Sequence, residues 1–549
     1  MLRSTLFFCF LLGAEAIRFQ DLIHDGETDF HGVPLDKYIR SMNRILEIDA
    51  KLANTTSIVR FEDLEWNTTD ANPEYSPFLP FGDLILSEEQ LDALVGVYEA
   101  KLAEKEGRSA PKRLFSTSLY HWDQFPITWS VDPISTPDGG ASVIRKAFAA
   151  WQERTCVTFE ENAFYGNGRG HIIVTGARNG CFAHLGKANT PTQTLNLGRA
   201  CGTHGVAVHE IGHSLGLFHT HRRMDRDSYV QFNQNVIKHG TLHNFLKATF
   251  DEGPQTLGLS YDYGSIMHYE PKAFTAYYGY DTLMPLQPFY ETTPGQRVEP
   301  SFLDVKEVNM IYCQNVCPEK LSCKNGGYTD PKDCEKCRCP EGLGGRFCEE
   351  LAESLPQCGE TSKVATDEYE TLSMKGKGVC YFRITAPEGH HVSLSVDYTN
   401  FDQDHHGQCQ YNFLEVKHDG DLTKTGPRFC GYRSLSVVIP PSPSTREVYI
   451  IFKSHSQKYG FSLRYKADDL AGPTHAPPSQ WGPWSQCSGI CGGCGFRTRK
   501  SLVDTSKEER EFCNLNVCFS TLLHYMPPCC EPFYYSPYSP TLCLARPGN

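Results

Sequence analysis

Between His209 and Arg226 the chain reads HEIGHSLGLFHTHRRMDR, and no other stretch restricts its folding as tightly. His209 and His213 stand four residues apart, so on a helix they project from one face, one turn from each other. Glu210 lies between them, a residue type able to take a proton from a metal-activated water without serving as a ligand itself. Gly216 ends the helix, because glycine tolerates the left-handed backbone that turns the chain back and lets His219 approach the same metal. Three neutral imidazoles with one position left for water suit zinc, which brings the pKa of that water to about 7, and the implied chemistry is hydrolysis.

Ser265-Ile266-Met267-His268-Tyr269 supplies a methionine-containing turn downstream. Together with the spacing HExxHxxGxxH it resembles the metzincin proteases, and the pair outweighs the alternative of core histidines on an amphipathic helix. Arg223-Met224-Asp225-Arg226 and Tyr269 narrow the resemblance to the astacin family of zinc endopeptidases. That resemblance implies an α+β catalytic domain over residues 114–313, with zinc on His209, His213 and His219 and Glu210 as general base. It makes Tyr269 a weak fifth ligand that swings away and donates to the oxyanion. It also implies the disulfides Cys156–Cys313 and Cys181–Cys201, and Gly295-Gln296-Arg297, Asp304 and Tyr312-Cys313 close the domain in the family manner. Thr220 stands where astacins usually carry the glutamate that fixes the new amino terminus. Phe125, Ile127, Trp129 and Val131 alternate as in a strand, and Ile144, Ala147, Phe148 and Trp151 repeat at helical spacing. His171-Ile172-Ile173-Val174 is expected to be the edge strand on which an extended peptide substrate lies. His184, His204 and His268 read as hydrogen-bonded structural residues.

The chain of 549 residues exceeds what one core serves, and its 23 cysteines suit a secreted, oxidising setting. Residues 1–16 have the form of a signal peptide, with Arg3, the apolar run Leu6 to Leu12 and the cleavage site Ala14-Glu15-Ala16. No later stretch is apolar for long enough to span a membrane, and a net charge of -13 argues against nucleic-acid partners. Residues 17–113 contain no cysteine and read as a pro-segment, with helices expected over Leu35 to Lys51 and Glu88 to Glu106 and glycosylation sequons at Asn54 and Asn67. It ends at Arg108-Ser109-Ala110-Pro111-Lys112-Arg113, so a processing protease of trypsin or subtilisin type would cut after Arg113. Phe81-Gly82-Asp83 resembles the astacin inhibitory motif, in which an aspartate takes the water position on zinc, though here the phenylalanine abuts the glycine. Glu62 and Asp63 are the other carboxylates considered for that place.

Six cysteines at 317, 323, 334, 337, 339 and 348 resemble an EGF-like module over 314–349, implying Cys317–Cys334, Cys323–Cys337 and Cys339–Cys348. A zinc-ribbon reading of Cys334 and Cys337 does not suit an oxidising compartment. Alternating Val392, Leu394, Val396 and Val448, Ile450, Phe452 give a β-sandwich over 358–467 that resembles a CUB domain, with Cys358–Cys380 and Cys409–Cys430. Calcium-binding members carry aspartate where Asn412 stands, which leaves calcium binding here open. After a Pro-rich linker at 468–479, residues 480–519 resemble a thrombospondin type 1 repeat in which Trp481 and Trp484 stack between arginines, followed by a cysteine-containing tail at 520–549. The module order is similar to nematode astacins that act on cuticle or eggshell matrix, so collagen precursors are the expected substrate. Two other readings are a hatching protease that degrades eggshell and a non-catalytic adhesion protein that binds matrix through its CUB and thrombospondin modules. Glu210 argues against the last, since a dead scaffold has no reason to hold a general base at this spacing.

Overall fold

The apolar run at 171–175 is central in its sheet, not at the edge. In the computed structural model, a six-stranded sheet runs in the order Leu84–Ile85, Cys181–His184, Gln193–Leu197, His171–Thr175, Ile127–Val131, Phe159–Glu161. The structure describes residues 16–23, 26–67, 73–108, 121–162, 170–248, 256–277, 280–404, 406–434 and 437–468, and the segments 495–500, 508–513, 533–536 and 539–545 beyond them. His171–Thr175 pairs in parallel with Gln193–Leu197 on one side and Ile127–Val131 on the other, so the edge-strand expectation is corrected. The physical reason lies in burial: Ile172 and Val174 are fully buried and His171 nearly so, and a strand covered on both faces needs an unbroken apolar run. The open edge of the catalytic sheet is Cys181–His184, and Leu84–Ile85 of the pro-segment pairs with it in parallel.

Helix α1 (Leu35–Leu52) buries Tyr38, Met42, Ile45 and Leu46, a stripe at helical spacing. Helix α2 (Glu88–Lys105) packs against it and is started by a capping box in which Ser87 and Gln90 satisfy each other's backbone donors. Phe19, Phe30, Phe61 and Phe78 fill the space beside them, in a core that residues 17–113 share with Phe182, Leu185 and Phe218 of the catalytic domain. In the catalytic domain, helix α3 (Gly140–Gln152) packs on helix α4 (His204–Ser214), and the Trp151 indole donates to Val208 O at 2.9 Å. Helix α5 (Phe302–Tyr312) starts at a second capping box, Ser301 with Asp304.

Disulfides join Cys156–Cys313, Cys181–Cys201, Cys317–Cys334, Cys323–Cys337, Cys339–Cys348, Cys358–Cys380 and Cys409–Cys430. The first spans 157 residues and ties the start of the catalytic domain to its end, a closure worth about 4 to 5 kcal/mol on the chain-entropy account. Residues 358–468 form two stacked sheets, one in the order Ser362–Val364, Gly378–Thr385, Glu447–Ser454, Phe413–Lys417, Arg428–Phe429 and the other built on Glu370–Lys375, Gly460–Asp468 and His391–Asn400. Their inward residues, among them Phe382, Leu394, Val416, Ile450 and Leu463, make one core. Residues 469–549 form a separate unit, described only as two antiparallel hairpins, Gly495–Lys500 with Glu508–Cys513 and Phe533–Ser536 with Ser539–Ala545. The leader up to Glu15, the cleavage point expected after Arg113 and the stacking expected of Trp481 and Trp484 lie outside the described residues. Among the described residues no helix is long and apolar enough to cross a membrane.

Candidate metal centre and active site

Thr203 caps α4 by accepting from Val206 N, and the helix then carries His209 and His213 into the core, both with no exposed surface. Gly216 takes a φ of +94°, and its N–H and that of Leu217 donate back to His213 O and Gly212 O at 2.8 and 3.0 Å, which reverses the chain. The reversal delivers His219. Its Nε2 lies 3.2 Å from that of His213, which in turn lies 3.1 Å from that of His209. Beneath them, Met267 fills the hollow left by Gly212, where an added Cβ would sit 2.8 Å from the methionine sulfur. The methionine turn is pinned to α5 because Asp304 accepts from Ile266 N at 2.8 Å and from Ser265 Oγ at 2.5 Å.

The donor set is that of a cation site. His209 Nδ1 meets Ile266 O and His213 Nδ1 meets Leu217 O, each at 2.8 Å, so the single proton of each neutral ring is spent on a carbonyl. Their Nε2 lone pairs therefore point at one another and at a carboxylate, an arrangement that repels unless a cation occupies the middle. Burial holds His209 and His219 well below the ordinary histidine range, in the neutral form a metal requires. Zinc fits such a set.

The carboxylate is Asp83. Its oxygens lie 2.9 Å from His219 Nε2, 3.3 Å from His209 Nε2 and 3.5 Å from His213 Nε2, and one ligand atom from each of the four residues falls within 4.8 Å of every other. Glu62 instead accepts from Asn43 Nδ2 at 2.8 Å and does not join the cluster. Phe81, at φ 58°, lays its ring 3.5 Å from the Arg222 guanidinium, and Gly82, at φ +86°, has no room for a side chain against the Tyr269 hydroxyl. That hydroxyl donates to Phe81 O, so in this structure the pro-segment engages it. The Tyr269 ring is held by His221, stacked 3.9 Å away.

Glu210 is fully buried, and among the described residues neither of its carboxylate oxygens has a hydrogen-bond partner. Burial, reinforced by the charges of Asp83 and Glu74, pushes its carboxyl well above the usual range. Glu74 is a residue the sequence did not single out. It reaches the same cleft, within 4.8 Å of His209 and Glu210, and forms a buried ion pair at 2.6 Å with Arg297. A carboxylate in an irregular segment leaves no spacing signal, so nothing short of the fold would have found it. Thr220 bonds Ser265 Oγ at 2.8 Å. His204 pairs with Glu299 at 3.1 Å, His268 with the Tyr261 hydroxyl at 2.7 Å, and His184 faces His31, so none of the three joins the metal cluster. In the sandwich, Asn412 donates to Asp402 at 2.8 Å and accepts from His455 N at 2.6 Å.

Residues 115–313 match the astacin peptidase family, 358–465 the CUB domain and 479–519 the thrombospondin type 1 domain. Zinc metalloproteinase nas-34 of Caenorhabditis elegans is 29% identical over 591 aligned positions, covering 96% of this chain and 94% of its own length. Zinc metalloproteinase nas-36 of the same nematode is 32% identical over 487 positions, covering 81% and 76%, and zinc metalloproteinase dpy-31 is 33% identical over 418, covering 73% and 68%. Identities above 30% over more than two thirds of both chains, together with the family match over the peptidase domain, place this chain in the astacin family, as a zinc metalloendopeptidase.

Proposed function

We propose that this chain is secreted as a latent zymogen, loses residues 17–113 to a processing protease that cuts after Arg113, and then hydrolyses peptide bonds in extracellular matrix proteins, collagen precursors of a nematode cuticle first among them. The observation that carries latency is Asp83, whose oxygens approach all three histidines at 2.9 to 3.5 Å and so fill the place an attacking water needs. Zinc, when bound by His209, His213 and His219, supplies Lewis acidity that polarises the scissile carbonyl and brings the pKa of water to about 7.

Once the pro-segment is gone, the chain's own residues take defined parts. Glu210 accepts the proton of the attacking water as the O–C bond forms, then gives it to the amide nitrogen as the C–N bond breaks. Tyr269, freed from Phe81 O, donates its hydroxyl hydrogen to the developing oxyanion. Cys181–His184, freed from Leu84–Ile85, offers its unpaired backbone groups to an extended substrate. Asn54 is exposed just past the end of α1, a position open to a glycan. The CUB and thrombospondin modules bind matrix partners.

The test is to cut the secreted chain after Arg113 and offer it casein and a purified cuticle-collagen precursor, with and without a zinc chelator. Chelator-sensitive cleavage of both is expected. Cleavage of casein with an intact collagen precursor would leave the peptidase and remove the matrix-collagen assignment.

A further inference from the structure

Three loops beside the metal centre, at Asp262, at Glu270 to Lys272 and at Gly295 to Arg297, are each held by the β-sandwich. Thr425 N donates to Asp262 Oδ1 at 3.1 Å, just ahead of the methionine turn. His406 Nδ1 lies 3.2 Å from Glu270, the residue after Tyr269, and Lys272 Nζ donates to His406 O at 3.1 Å. At the third loop Arg297 N donates to Gln410 Oε1 at 2.8 Å, while Gln410 Nε2 donates to Gly295 O at 3.3 Å and to Asp404 at 2.7 Å. The fit is close: a Cβ at Gly264 would fall inside the van der Waals envelope of the Thr425 side chain.

One of these contacts continues inward to the metal ligands. Arg297 Nη1 donates to Ile266 O at 2.8 Å and to His268 O at 3.2 Å, and Ile266 O is the same oxygen that orients His209 through its Nδ1 at 2.8 Å. Gln410, Arg297, Ile266 and His209 thus form an unbroken series of hydrogen bonds from the sandwich to the site. The partner at the outer nitrogen of a ligating histidine fixes its ring orientation, and misplacement by about 1 Å can cost on the order of 10² in rate. In the latent chain Glu74 also grips the Arg297 side chain, at 2.6 Å. That grip departs with the pro-segment, after which Gln410 still holds the Arg297 backbone.

We propose that the CUB sandwich is a working part of the peptidase site, with Gln410 as a positioning residue that keeps the Arg297 loop, the methionine turn and Tyr269 in register with His209. A catalytic domain whose sandwich is displaced binds zinc and short substrates but turns them over slowly. The role differs from substrate capture by the CUB surface, because it acts on peptides too short to leave the cleft.

The test uses the full chain, cut after Arg113, with a short fluorogenic peptide, measuring kcat, KM and zinc content. Gly264→Ala wedges the sandwich away and lowers kcat about tenfold with KM and bound zinc held, and adding Thr425→Gly, which removes the obstructing side chain but keeps the backbone donor to Asp262, returns kcat to within about twofold of wild type. Wild-type kcat in Gly264→Ala, or a double variant no faster than the single, overturns the proposal. Should Gly264→Ala fail to fold, Gln410→Met decides: similar in length but without the amide, it lowers kcat several-fold at constant KM, whereas an unchanged kcat overturns the proposal.

Discussion

Helix α4 and the pro-segment turn at 80–83 converge on the same few atoms by opposite routes. The helix brings His209 and His213 together through four residues of spacing, and a single glycine turns His219 into line. Asp83 arrives from 126 residues away in sequence, held by the Phe81 ring on Arg222, the Tyr269 bond to Phe81 O and a two-residue strand on the sheet edge. A site built by local geometry is robust to what happens around it, whereas a cover built by scattered long-range contacts is removable. That difference suits the latency proposed above.

The sharpest way to break the site while leaving its cover alone is Glu210→Ala. We expect activity of the cut enzyme to fall by on the order of 10² to 10⁴, with zinc still bound and the uncut form as silent as before. Persisting turnover in that variant would move the general base to another residue. Tyr269→Phe separates the two regions next, since the hydroxyl serves the pro-segment before cleavage and the oxyanion after it. Loss of on the order of 10² in kcat, with little change in KM or zinc affinity, is the expected result; an unaltered kcat would reduce the tyrosine to a packing role. The smallest effect falls on the cover. A hydrogen bond or contact to a charged group is worth about 1.5 to 3 kcal/mol, so uncut Asp83→Ala should cleave a fluorogenic peptide roughly tenfold or more above uncut wild type. Equal silence in both would show that Phe81, Glu74 and the paired strand block the cleft without the carboxylate.

The same contrast explains what the sequence discloses and what it hides. His209, Glu210, His213, Gly216 and His219 fall within eleven residues, and helix and turn geometry convert that spacing directly into positions. The helices expected over Leu35 to Lys51 and Glu88 to Glu106 are legible too, because helical runs are local signals, and the structure has helices at Leu35–Leu52 and Glu88–Lys105. The place of His171–Thr175 differs from expectation because an apolar run reports a strand covered on both faces, which outweighs its resemblance to a substrate platform. Glu74 with Arg297 and Gln410 with the Arg297 loop leave no trace in the sequence, being pairs of ordinary polar residues separated by 223 and 113 positions.

The parallel pairing of Leu84–Ile85 on Cys181–His184 has a bearing on handling as well as on latency. A strand edge with bare N–H and C=O groups is a template for another chain, and well-behaved sheet proteins cover such edges or blunt them with charge. Cys, Phe, Ala and His bring little charge to this one. Removal of residues 17–113, as proposed above, would therefore expose a surface prone to self-association, and the uncut chain is the form expected to stay monodisperse at high concentration, so that the segment over the cleft doubles as an internal solubility aid.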